Sequence, residues 1–241
     1  VKTLKHLQRA VRNQVPRKTM RDIYNRLRYG AGAPLSDETV WLPLAEITRG
    51  YRPDPAKGAP VLRRRLSGMV LGGDWHLSSA PLEPSEKDVS CRMHFIEGRP
   101  WEETPIWERH TGEIARGHSP DGCRTIDELR GWYARRDAAF RAIRRAGTLT
   151  AAAALPDRVR REHGGILVHI GPNGTYLRSG GGAHRFAIAQ LLGLTYIPVQ
   201  VGVVHRDAVL SGEYAKLHKG LSPPGETRAA APVSASRSLP A

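Results

Sequence analysis

Apolar and polar residues alternate with a period that changes along the chain. Residues 2–27 place Leu4, Leu7, Val11, Val15, Ile23 and Leu27 at helical spacing around a single Pro16, so the pattern predicts two short basic helices broken at the proline. Lysine and arginine dominate the outer faces, which suits an anionic surface or a solvated face on a docked helix. Residues 30–34, Gly-Ala-Gly-Ala-Pro, read as a linker into a β-like run at 39–44, and residues 49–60 read as a Pro/Gly-rich loop. Residues 61–71 mix the arginines Arg63, Arg64 and Arg65 with apolar positions and end in Gly72-Gly73-Asp74-Trp75. Residues 81–105 show no long period and are expected to be irregular with short helices, Cys91 to Ile96 being a strand or a helix start.

Two later stretches are clearer. Thr125 stands three residues before Glu128, a capping-box spacing. Ile126, Leu129, Trp132, Tyr133, Phe140 and Ile143 then recur on one side, with Arg144 and Arg145 at the end that favours cations and Gly147 as the stop. A second, shorter helix is expected at 151–162, interrupted at Pro156. Residues 166–170 are a short apolar run rich in β-branched residues, Gly171-Pro172-Asn173-Gly174 is a turn signal, and 175–178 can return as the second strand of a hairpin. Ser179-Gly180-Gly181-Gly182 leads into an apolar helix at 183–192 with Gly193 beyond its end, and 197–204 reads as a buried strand opened by Pro198.

A glycine loop feeding a helix start presents unpaired amides at the positive end of the helix dipole, the arrangement a phosphate needs. Arg185 adds a planar, two-pronged donor in the first turn, and His184 a ring that can donate or accept. The same residues could also simply turn the chain and pack.

Composition narrows the partners. Of 241 residues, 37 are Lys or Arg and 23 are Asp or Glu, a formal charge of +14, which recruits polyanions such as nucleotides, nucleic acid or an anionic membrane surface. No apolar run approaches the ~20 residues of a membrane-spanning helix, and the first residues lack a secretory signal pattern, so a cytoplasmic location is expected. Cys91 and Cys123 form no C-x-x-C pair, and His94, His110 and His118 lack compact zinc-ligand spacing; no protein metal site is assigned.

The stretch Ser179-Gly180-Gly181-Gly182-Ala183-His184-Arg185-Phe186-Ala187-Ile188-Ala189-Gln190, followed by Gly193-Leu194-Thr195-Tyr196-Ile197-Pro198-Val199, resembles the ParB/sulfiredoxin superfamily over about forty residues within 165–205. The resemblance implies a ParB/sulfiredoxin-like core that holds nucleotide phosphates, of CTP, ATP or ADP, at this loop and helix start. Gly182, His184 and Arg185 fall on phosphate-contact positions. Two departures matter. Sulfiredoxins have a reactive cysteine where this chain has Ala183, so their chemistry has no nucleophile here; the acid of serine-kinase relatives is replaced by Gly181.

The resulting expectation is an α+β fold: a basic helical extension at 1–35, one ParB/sulfiredoxin-like domain at 36–219 with a helical insertion around 125–162, and a disordered tail at 220–241. The expected phosphate-binding residues are Ser179, Gly180, Gly181, Gly182, His184 and Arg185. The expected catalytic residues are Asp74, Glu97 and His184, in a phosphotransferase (kinase) or NTPase using ATP or another nucleotide with Mg²⁺ on a small hydroxyl compound or glycan precursor. A nucleic-acid-binding protein and a non-catalytic adaptor are the alternatives. No helix-turn-helix is recognisable after the module.

Overall fold

The computed structural model describes residues 14–54, 56, 58–151, 154 and 165–218. Among them are seven α-helices and one mixed seven-stranded sheet, an α+β fold. The expected helix at 151–162, the tail at 220–241 and the first half of the basic N-terminal segment lie largely or wholly outside the described residues.

The sheet is organised by the segment whose pattern was strongest. Strands β5 (Ile166–Ile170) and β6 (Tyr176–Arg178) form the hairpin, helix α5 (Ala183–Leu191) crosses over, and β7 (Tyr196–His205) returns parallel to β5. Burial runs through all of β5 and nearly all of β7, as strands covered on both faces require. Strand β1 (Thr39–Pro43) pairs antiparallel with the first half of β7, and the short β3 (Val70–Leu71) continues along the same edge at Val204 and His205. On the other side β6 carries β2 (Arg49–Tyr51) in parallel, and β4 (Ser79–Pro81) closes that edge.

Alternation along the strands separates two cores. One face, with Ile166, Val168, Ile170, Val199 and Val201, packs on Phe186, Ile188 and Ala189 of α5 and on Phe140 and Ile143. The other face carries Tyr51, Leu62, Trp75, Leu177 and Val203. A third core joins α2 (Glu86–Phe95), α3 (Pro105–Ala115) and α4 (Ile126–Ala146) through Cys91, Ile106, Trp107, Leu129, Trp132 and Tyr133, and meets α5 at Ala187.

The expected irregular stretch at 81–105 is in fact built around α2, a ten-residue helix opened by a full capping box between Ser85 and Asp88. Helix α4 starts at its Thr125 cap and ends at Gly147 with φ 64° as the sequence predicts. Pro16 stands in the first turn of α1 (Val15–Tyr29), where its missing N–H costs nothing, and the helix expected before it lies outside the described residues.

Candidate anion-binding site

The glycine loop is shaped by close approach. Gly182 has φ 68°, and a Cβ there would lie 2.8 Å from the Gly165 carbonyl oxygen and from the Ile166 backbone, so both the conformation and the space demand glycine. A side chain at Gly181 would run into the Arg64 guanidinium and meet Leu167 Cβ at 3.1 Å. Gly180 is exposed and faces open space, and Ser179 is tied to β5 by its N–H to the Leu167 carbonyl, 2.8 Å. Beyond the loop, Phe186 N–H closes the first turn on Gly182 O at 3.0 Å. The amides of Ala183, His184 and Arg185 precede any carbonyl the helix can offer them.

Cations stand on both faces of the sheet beside this loop. Arg64 lies on the face of Leu167, where Nη2 donates to Gly165 O at 2.7 Å and Nη1 to the Gln200 side chain. Arg178, the last residue of β6, pairs with Val168 and therefore faces the opposite side, where its guanidinium sits 4.4 Å from the centre of the Phe186 ring. The Nε and Nη2 atoms of Arg178 are buried without a hydrogen-bond partner, and burial, the largest influence, depresses its pKa. Arg52 also reaches this face: its Cζ would lie 3.7 Å from a Cβ at Gly50, the register partner of Arg178. Asp88 at the start of α2 is the carboxylate whose charge reaches Arg178, and its Oδ1 is buried without a partner while Oδ2 serves the cap.

His184 points the other way around α5, into the helical core, with its ring 4.9 Å from Trp132 and its Nε2 buried without a partner. Burial pushes its pKa down to about 3, and the charged groups that add to this, Lys87, Arg136, His110 and Arg109, are all positive when ionised. Arg136 stacks 4.1 Å from the Trp132 ring with a buried, unpartnered Nε, and its pKa too is lowered chiefly by burial. Arg185 donates Nη2 to the Thr150 carbonyl, so its fork is turned toward the segment after α4 rather than back over the glycines.

The two expected acids are not brought together. Asp74 lines a cavity of about 690 Å³ with Arg52, Asp54, Ser78 and Ser79, and a neighbouring one of about 350 Å³ with Gly58, Pro60, Gly72 and Trp75. Glu97 follows α2 at the surface, 3.6 Å from Arg92 and 3.8 Å from Arg99. The tryptophans near them are core residues: Trp75 and Trp101 are each 5% exposed, and Trp101 stacks on His94 and donates to Asp137 at 2.8 Å. His205, at the end of β7, is buried and bonded to Gly73 O at 2.8 Å.

The cations that sequence reasoning missed come from distant elements. Only Arg178 had a local signal, standing directly before Ser179; Arg64, Arg136 and Lys87 arrive by tertiary packing. The buried, unpartnered Nε and Nη2 of Arg178 are donors of the kind that phosphate oxygens accept from. A divalent cation fits only in company with those oxygens, because among the described residues no group of three or more His, Cys, Asp or Glu could hold a metal. No family model, curated protein or solved structure matches the chain.

Proposed function

We propose that the chain binds a nucleotide through its phosphates at the N-terminus of α5 and transfers a phosphoryl group to a small hydroxyl compound or glycan precursor. The observation that carries the reading is Arg178, a guanidinium with two buried nitrogens lacking an acceptor, stacked on the first turn of the helix that follows the glycine loop. Buried cations without partners are costly, and a bound anion removes the cost. The sequence resemblance to the ParB/sulfiredoxin superfamily points to the same loop.

Phosphoryl transfer also needs room for an acceptor and a carboxylate. The cavity of about 690 Å³ sets Asp54, Asp74, Ser78 and Arg52 beside Pro53, Leu77 and Ala80, a mixed lining with room for a small polyhydroxyl compound, and Arg52 joins it to Arg178 across Gly50. In this reading Arg178 and the α5 amides hold phosphate oxygens, and Asp74 receives the hydroxyl proton. Asp88 would hold Mg²⁺ together with those oxygens, and the metal would supply charge neutralisation. Glu97 has no part in it, and His184 supports the helix start from inside the core. Ala183 leaves no thiol at the sulfiredoxin position, and Cys91 is buried with its pKa pushed up to about 12.

A thermal-shift comparison of ATP, CTP and GTP with their nucleosides, with and without Mg²⁺, tests the reading. A ligand at a hundred times its Kd adds about 2.7 kcal/mol of stability, so at least one nucleotide raises the Tm while its nucleoside does not. Equal behaviour of nucleotides and nucleosides refutes it.

A second reading has its own observation: Arg135, Arg141, Arg144 and Arg145 of α4 are all exposed, which supports a nucleic-acid backbone contact. Its affinity falls linearly with salt on logarithmic axes, and no retention of duplex or single strands at about 50 mM salt removes it.

A further inference from the structure

Helix α1 is docked inside out. Its polar residues face the body of the protein: Lys18 is 1% exposed and Asn25 2%. Lys18 Nζ donates to Asp37 at 2.7 Å, Asn25 Nδ2 to the carbonyls of Pro34 and Gly68 at 2.7 Å each, and Arg21 Nη1 to Ser67 O at 2.6 Å. The Ser36 N–H donates to Asp22 at 2.7 Å. Its large apolar residues face outward: Met20 is 68% exposed, Ile23 51%, Tyr24 60% and Leu27 84%. These four follow the i, i+3, i+4, i+7 spacing of a single helical stripe. An ordinary surface helix buries that stripe and exposes the polar face; here hydrogen bonding holds the polar face inside.

The stripe is flanked by charge of one sign. At 100° per residue, Arg17 and Arg28 border it on one side and Arg26 lies on the other, and all three are exposed. The sequence just before α1 adds Lys2, Lys5, Arg9 and Arg12 within a chain of net charge +14. We propose that this face of α1 seats on an anionic lipid surface, with Met20, Ile23 and Leu27 entering the acyl boundary, Tyr24 at headgroup depth and the arginines on lipid phosphates. A lipid surface accepts a convex apolar stripe without a matching groove. A second copy of the chain would bring the same arginines against one another, which disfavours self-association.

The test is flotation of the full chain with phosphatidylcholine vesicles, plain or containing about three-tenths phosphatidylserine, at about 50 and 500 mM salt. Wild type floats with the anionic vesicles and less so at high salt. The charge-neutral triple change Met20→Ser, Ile23→Ser, Leu27→Ser leaves the fold intact, because all three side chains are largely outside it, and lowers vesicle affinity about tenfold or more. Leu27→Asp, at the most exposed position, reduces it in the same direction. Binding of the triple variant equal to wild type reduces the interaction to net charge and overturns the proposal. So does wild type that ignores anionic vesicles. Stripe-dependent dimerisation in sedimentation velocity overturns it in favour of a second copy, and stripe-dependent binding to an acidic protein without vesicle binding does so in favour of a protein partner.

Discussion

Arg178 and Phe186 face each other across the glycine loop, guanidinium over ring at 4.4 Å. The contact ties the end of β6 to the first turn of α5, so the residues on either side of Ser179 and the three glycines are fixed relative to one another. The planar face of the guanidinium packs on the ring, while Nε and Nη2 are buried beside it without an acceptor.

Replacing the planar cation is therefore expected to separate charge from geometry. Arg178→Ala should lower affinity for the binding nucleotide by about tenfold to a hundredfold, and Arg178→Lys should recover only part of it, because an ammonium offers no two-pronged edge. Calorimetric titration of both variants checks this. Equal affinity for the Lys variant and wild type argues that only charge matters.

Gly202 and His169 make an independent test of the sheet. A Cβ at position 202 would run into the His169 imidazole, meeting Cε1 at 2.7 Å and the Val168 carbonyl at 3.1 Å. His169 is anchored there by accepting the Val203 N–H at 2.9 Å. Gly202→Ala is expected to cost about 2–4 kcal/mol in urea unfolding, and adding His169→Ala should give back part of that cost by clearing the ring. Strict additivity of the two changes contradicts the direct clash.

Two buried imidazoles, His169 and His184, set an acid limit. Burial holds the pKa of His169 down to about 4 and that of His184 to about 3, positive neighbours assisting the latter, whereas both protonate near 6.5 in the unfolded chain. Between those values the unfolded state binds more protons, so this stability is fully present above about 6.5 and is lost as pH falls toward 4 and then 3. Tm measured from pH 7.5 to 5 should fall, and His184→Asn should flatten the decline. A wild-type Tm that is level over that range contradicts neutral burial.

Asp37 holds the docked helix. It accepts from Lys18, Ser67 and Gln200, and Lys18 and Asp37 have side-chain exposures of 1% and 4%. Asp37→Ala leaves a buried ammonium with its principal carboxylate gone and is expected to cost about 3–5 kcal/mol, measured by denaturant unfolding. Lys18→Met with Asp37→Leu should cost far less than the single change, since removing both charges removes the imbalance.

What the sequence made legible follows distance along the chain. The hairpin, glycine loop, α5 and β7 were readable because each is a local pattern of turn residues and periodicity within 165–205. Strands β2, β3 and β4 escaped because they are two or three residues long and exist only through partners far away. Helix α2 was hidden by mixed polarity, although its Ser85 and Asp88 cap could have revealed it. At the site, the loop glycines were legible by type, but the aim of each cation was not: Arg185 turns to Thr150 and His184 enters the core. Arg178 was passed over beside the motif. In α1 the apolar period was visible at Ile23 and Leu27, yet its direction was reversed, because Lys18 and Asn25 find buried acceptors that no local pattern announces.

The most direct measurement is an isothermal titration of wild-type protein with ATP, CTP and GTP in Mg²⁺, repeated with Arg178→Ala of unchanged circular dichroism. Saturable heat from at least one nucleotide, absent or about tenfold weaker in the variant, is the expected result. No heat from any of them, or the same affinity without the Arg178 guanidinium, contradicts a phosphate held at the front of α5.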